Sequence, residues 1–127
     1  MNKLAQFTNE KYLSLESFKK DGTGVKTPIW FVEHEGTFFG YSLADAYKVK
    51  RIRNNPRVRL APCDARGNVH GEWIEGRARI IDPQLDAAEY DAGQRRLVQK
   101  YGLIKRLANL FSKFSSRPRA GIVIEFD

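Results

Sequence analysis

A chain of 127 residues with 42% hydrophobic and 29% charged residues has the length and composition of one globular domain, not of a disordered or membrane-embedded chain. One cysteine and two histidines leave no internal disulfide, no multi-cysteine metal site and no His-rich one. The formal net charge of +7 predicts attraction to an anion: nucleic acid, a phosphorylated cofactor or an acidic surface. Along the chain, Tyr12 to Phe18 alternates as a strand, and Asp21-Gly22 after it tolerates the positive φ of a tight hairpin. Val25 to Glu33 predicts a second strand and Thr37 to Ser42 a third, in meander order around Glu35-Gly36. Pro28 cannot donate to a ladder, so it is expected at a bulge or an edge. Asp45 is expected to cap a short helix from Ala46 to about Asn54, with Val49 and Ile52 on its apolar face.

Val58 to Pro62 and Gly71 to Ile81 predict two more strands around a turn at Asp64 to Asn68, and Gly76 predicts a bulge or a close backbone approach. After Asp82-Pro83 the period becomes helical, through Leu97, Tyr101, Ile104, Ala108 and Phe111, with Gly102 as a break and Arg117-Pro118 as the end. Arg119 to Phe126 closes the chain as a strand. The expected fold is mostly β, about six strands in a mostly antiparallel small barrel. Residues 1–127 form one domain, with a helical insertion at about 84–115. No apolar run spans a bilayer and Met1 to Phe18 lacks a secretory pattern, so the chain is expected in the cytoplasm, away from membranes.

Several chemistries find no motif. Gly22-Thr23-Gly24 precedes a strand and lacks a third glycine, and neither a P-loop nor a GxSxG elbow occurs. Cys63 has no nucleophile signature, and His34 and His70 read as solvated or hydrogen-bonded. The densest positive region is Ala46 to Arg59, where a helix start with nearby lysines suits phosphate. A solvated basic face is the plainer alternative. A nucleic-acid surface is a third, disfavoured by the scarcity of aromatics for base stacking. Arg95, Arg96, Lys100, Lys105, Arg106 and Lys113 read as the polar side of amphipathic helices.

With a phosphate-friendly helix start and no acid–base constellation, the pattern suits a cofactor that carries its own chemistry. Tyr41 to Val58 (YSLADAYKVKRIRNNPRV) resembles the FMN-binding segment of the pyridoxamine 5′-phosphate oxidase-like split β-barrel superfamily. The fuller set VKTPIWF, KVKRIRNNPRVRLAPCDARG, EWIEGRARI and KYGLIKRL resembles its F420-dependent oxidoreductase branch. The resemblance implies a six-stranded split β-barrel of the FMN-binding type that pairs as a homodimer with a cofactor cleft at each end of the interface. It matches Thr27, Pro28, Ile29 and Trp30 to the strand lining the flavin ring, Tyr41 and Ser42 to the neighbouring strand end, and Lys48 to the phosphate. Lys50 and Arg51 or Arg53 would add to the anionic pocket.

Tyr47 stands where the oxidases carry an arginine, and about Gly71 where they carry a glutamine. Their C-terminal substrate-binding Arg and His find no match, so turnover of pyridoxamine phosphate is not expected. What the resemblance implies is an oxidoreductase that uses coenzyme F420 or FMN to pass hydride to or from a small organic substrate. The alternatives are a split barrel that binds flavin or haem without turnover and a basic nucleic-acid-binding domain. No catalytic base is identified.

Overall fold

A computed structural model describes residues 3–102 and 118–126. Ile104, Lys105, Arg106, Ala108, Phe111, Lys113 and Arg117, to which the sequence assigned helical positions and a helix end, lie outside the described residues. After a short 3-10 helix at Lys3–Phe7, the chain forms β1 (Tyr12–Phe18), β2 (Gly24–Ile29), β3 (Val32–His34) and β4 (Thr37–Leu43). Helix α1 (Tyr47–Asn54), β5 (Arg57–Cys63), β6 (Ile74–Ile81), α2 (Ala87–Tyr101) and β7 (Arg119–Glu125) follow. The described strands make one antiparallel sheet in the order β2-β1-β5-β6-β7-β4-β3, curled into a half-barrel. No helix among the described residues is long and apolar enough to cross a membrane.

Seven strands replace the six expected, because the run Val25 to Glu33 breaks at Trp30-Phe31. The expected meander is therefore cut in two: β1 pairs with β2 and β3 with β4, while β2 and β3 form the two opposite edges of the sheet. The cause is local. The Phe31 N–H donates to the Tyr101 hydroxyl at 3.0 Å, and its carbonyl accepts from Lys100 Nζ at 2.8 Å, so neither backbone group is left for a ladder. The edges meet here. A Cβ on Gly40 of β4 would stand 3.0 Å from the Trp30 carbonyl oxygen and 3.1 Å from Ile29 Cδ1.

Strand alternation sorts the side chains onto two faces. Leu13, Leu15, Val58, Leu60, Ala78, Ile122, Ile124 and Phe38 turn inward and form the main core, with Ile52 of α1. Phe39, Ile81 and Val123 turn outward into a second core beneath α2, completed by Leu97. Helix α2 comes close because Gly93 has no side chain: a Cβ there would meet the Phe39 ring at 2.5 Å.

Two further expectations shift. Helix α1 is capped by Ala46, with no side-chain cap hydrogen bond, and not by Asp45. It starts one residue late because the Ala46 N–H closes a turn onto the Leu43 carbonyl at 3.1 Å, which leaves Asp45 outside the cap position. Strand β6 begins at Ile74 and not at Gly71, because Gln6 holds Glu72 through both its backbone groups, at 2.8 and 2.9 Å. The close approach expected at Gly76 is present, against the Glu125 carbonyl. Pro28 lies on an edge strand, and Gly102 ends α2 at φ 61.

Candidate functional site

The half-barrel is split between β2 and the second half of β4. From the Ile29–Gly40 contact, Thr27 lies two residues back along β2 and Ser42 two residues on along β4. Thr27 pairs with Leu15 and Ser42 with Ala120, so both turn to the inner face. Two hydroxyls thus flank the split on one face. Thr27 Oγ1 is buried and has no hydrogen-bond partner. A buried hydroxyl left unpaired costs about 1–3 kcal/mol.

Helix α1 follows directly from β4 and packs against β1 and β6. Lys48 in its first turn is half-buried, and burial holds its ammonium below the ordinary lysine value, with repulsion from Arg51 adding to the effect. No carboxylate among the described residues forms an ion pair with it. Arg51, one turn on, donates from Nε to Ser17 Oγ at 2.7 Å. Ser17 is itself buried on the inner face of β1 and is the diagonal neighbour of Thr27, a spacing of about 7–8 Å. Ser17 and Arg51 thus form a bonded pair, with Thr27 beside Ser17 on the inner face and Lys48 near enough to Arg51 to feel its charge.

Lys50 points elsewhere, its Nζ 5.3 Å from the ring centre of Tyr47. Lys50 and Arg51 border a cleft of about 530 Å³ together with Lys19 and Lys20 of the β1–β2 hairpin. The hairpin lysines carry no signal beyond the charge of the turn, because their place beside α1 depends on the curl of the sheet.

The other residues singled out by the resemblance diverge. Pro28 turns outward beneath the Gly67 turn, and Ile29 is buried in the main core. Tyr41 turns outward toward the core under α2, where burial raises its phenol above the usual value. Trp30 leaves the sheet and stacks on Tyr101 with ring centres 4.7 Å apart and planes at 12°.

That stack borders a separate hollow of about 1150 Å³ at the end of α2. Burial pushes the Tyr101 phenol up to about 12 and the Lys100 ammonium down to about 8. Sequence periodicity marked Tyr101 as apolar and Lys100 as solvated; their polar atoms instead bind the strand break at Phe31. Of the remaining candidates, His70 contacts Glu10 and His34 lies 3.7 Å from Glu35. Cys63 is buried at a strand end, where burial foremost, then Asp64 and Glu10, push its thiol up to about 11, which opposes a nucleophilic role.

A family model described as pyridoxamine 5′-phosphate oxidase matches residues 2–127. No curated protein matches the chain. Among solved structures, the haem storage protein HutZ of Vibrio cholerae aligns with a TM-score of 0.73 at 12% identity, over 98% of this chain and 87% of that one. A FAD-binding protein of Mesorhizobium loti aligns at 0.67 and 16% identity, over 98% and 87%. An F420 reductase aligns at 0.60 and 17% identity, over 98% and 93%. At these identities the likeness is one of fold.

Proposed function

Since the chain belongs to the pyridoxamine 5′-phosphate oxidase family, a flavin-binding family, we propose that it is an oxidoreductase holding coenzyme F420 or FMN at the split of the half-barrel. The observation that carries this reading is Lys48, a half-buried cation without an ion-pair partner among the described residues, placed in the first turn of a helix with no side-chain cap. An uncapped helix start beside an ammonium favours a phosphate group. The orphaned Thr27 Oγ1 fits the same reading, since a polar group of the ring would satisfy it.

In this reading Lys48 and the α1 amides hold the phosphate, with Arg51 held in place by Ser17. Thr27 and Ser42 address the ring from the two sides of the split. The flavin or deazaflavin supplies the hydride chemistry itself. The chain's part is to orient the ring, exclude water and hold a small organic substrate in contact with it. A homodimer belongs to the proposal, with a second copy covering the split.

The likeness of fold to HutZ supports a second reading, carriage of flavin or haem without turnover. It shares the same binding residues, so only turnover separates the two. The test is a fluorescence titration of the purified protein with FMN and with F420, repeated on Lys48→Ala. Submicromolar binding of either cofactor by the parent, weakened at least tenfold in the variant, supports the assignment. Equal binding by parent and variant refutes it. Reduction of a nitroaromatic or quinone acceptor by the loaded protein then favours the enzyme over the carrier.

A further inference from the structure

Tyr47, Lys50, Arg51 and Asn54 fall at i, i+3, i+4 and i+7 along α1, one stripe of the helix opposite the buried Val49 and Ile52. Across from the stripe stand Lys19 and Lys20 of the β1–β2 hairpin, and between the two walls lies the basic cleft of about 530 Å³. Four cations border it, and no carboxylate is among the described residues that line it. Asp21 of the same hairpin turns into its own loop, where Oδ1 accepts from the Thr23 amide at 2.9 Å, and it acts on Lys19 only through space. Lys20 and Lys50 have no ion-pair partner among the described residues.

Both walls are fixed from outside the cleft. Burial of Val49 and Ile52 seats α1, and the hairpin is closed by the Lys19 amide on the Thr23 carbonyl and the Gly22 amide on the Lys19 carbonyl, each at 2.9 Å. The backbone under the charges therefore stays in place, and the repulsion between the walls is relieved by an anion held between them. Tyr47 adds a second kind of recognition. Its ring is 76% exposed, alone among the described aromatic side chains in being largely so. A flat base would cover it, and one platform suits one base, not a strand of them.

We propose that this cleft binds a nucleoside diphosphate, with the phosphates among Lys19, Lys20, Lys50 and Arg51 and the base stacked on Tyr47. Linked phosphates carry enough charge to meet cations on both walls. The group has two sources, a free nucleotide such as ADP and the adenosine diphosphate part of FAD. The cleft adjoins the proposed cofactor site through Arg51, whose Nε is held by Ser17, but the proposal does not rest on that site.

The test is calorimetric titration of the full chain with ADP, inorganic pyrophosphate, tetraglutamate, FMN and FAD, repeated on Lys19→Ala/Lys20→Ala, Tyr47→Ala and Tyr47→Phe. The parent is expected to bind ADP at least fivefold more tightly than pyrophosphate. The hairpin variant loses at least tenfold for ADP and binds FMN within twofold of the parent. Tyr47→Ala brings ADP down to the level of pyrophosphate, and Tyr47→Phe restores the difference. FAD bound at least tenfold more tightly than FMN, with that advantage lost in the hairpin variant, identifies the cofactor's own arm as the source; FAD and FMN bound alike, with ADP still bound, identify a free nucleotide. No saturable ADP binding up to about 1 mM, together with FAD bound no better than FMN, overturns the proposal. So does pyrophosphate or tetraglutamate bound as tightly as ADP, which marks a cleft that reads charge alone. A chain that binds ADP and no flavin would refute the flavin assignment and leave this one standing, and FMN binding without a response to ADP or FAD would do the reverse.

Discussion

Gly93 of α2 lies against the ring of Phe39 on β4, so close that a methyl group there would stand 2.5 Å from ring carbons. Alanine in place of glycine inside a helix gains up to about 1 kcal/mol from propensity. Overpacking a tight contact costs about 1–3 kcal/mol. Gly93→Ala is therefore expected to lower unfolding free energy by about 1–2 kcal/mol in urea titration. A stabilised variant would show that α2 does not dock on this ring.

Tyr101→Phe removes the one hydroxyl that meets the Phe31 N–H and leaves the stack on Trp30 in place. The stranded amide predicts a loss of about 1–3 kcal/mol. Trp30 fluorescence, followed through the unfolding transition, checks it. An unchanged midpoint would mean that the amide finds water instead.

Lys48→Met separates ligand binding from stability. Removing a half-buried, unpaired cation is expected to raise unfolding free energy by about 0.5–1 kcal/mol while weakening FMN or F420 binding at least tenfold. A variant that is both less stable and fully competent to bind would contradict the assigned role.

Arg79 joins three elements, donating to both oxygens of Glu89 on α2 at 2.8 and 2.6 Å and to Glu125 on β7 at 2.9 Å. The Arg79 hydrogen bond holds the Glu89 carboxyl below the usual value. A carboxylate lowered in the folded state adds stability above its unfolded pKa of about 4.3, and that stability is lost as pH falls through the lower, folded value. The groups are largely solvated, so Glu89→Gln is expected to cost up to about 1 kcal/mol at pH 7 and little at pH 3. Paired thermal melts at the two pH values measure the difference.

Lys100 gives a slope of the same sign in a higher pH window. Its folded ammonium titrates near 8 and its unfolded one near 10.5, so the cost of keeping it charged is fully present below about pH 8 and relieved toward pH 10.5. Stability of the parent, measured against Lys100→Met, is expected to improve across that window. A constant difference would place the ammonium in water.

What the sequence made legible follows the reach of each signal. Period-two alternation located β1 and β6, strand-forming runs located β5 and β7, and Pro28 correctly marked an edge. The break at Trp30-Phe31 was not legible, because the groups that hold it, Lys100 and Tyr101, lie some 70 residues further along. The cap at Asp45 failed because residue preference says nothing of the turn that Leu43 closes with Ala46. At the candidate site, charge density marked the segment Ala46 to Arg59, and the family resemblance picked Lys48 and Arg51 within it. The Ser17 contact and the isolation of Thr27 Oγ1 were not, since both depend on the pairing of β1 with β2.

Only Trp30 and Phe31 separate β2 from β3. Three peptide steps reach about 11 Å at most, so the chain itself tethers the two margins of the sheet at that end. Any widening of the gap must work like a clasp knife, pivoting at Trp30-Phe31 and spreading furthest where Gly24 and Leu43 lie. A guest too thick for the resting gap would thus enter from the α1 end.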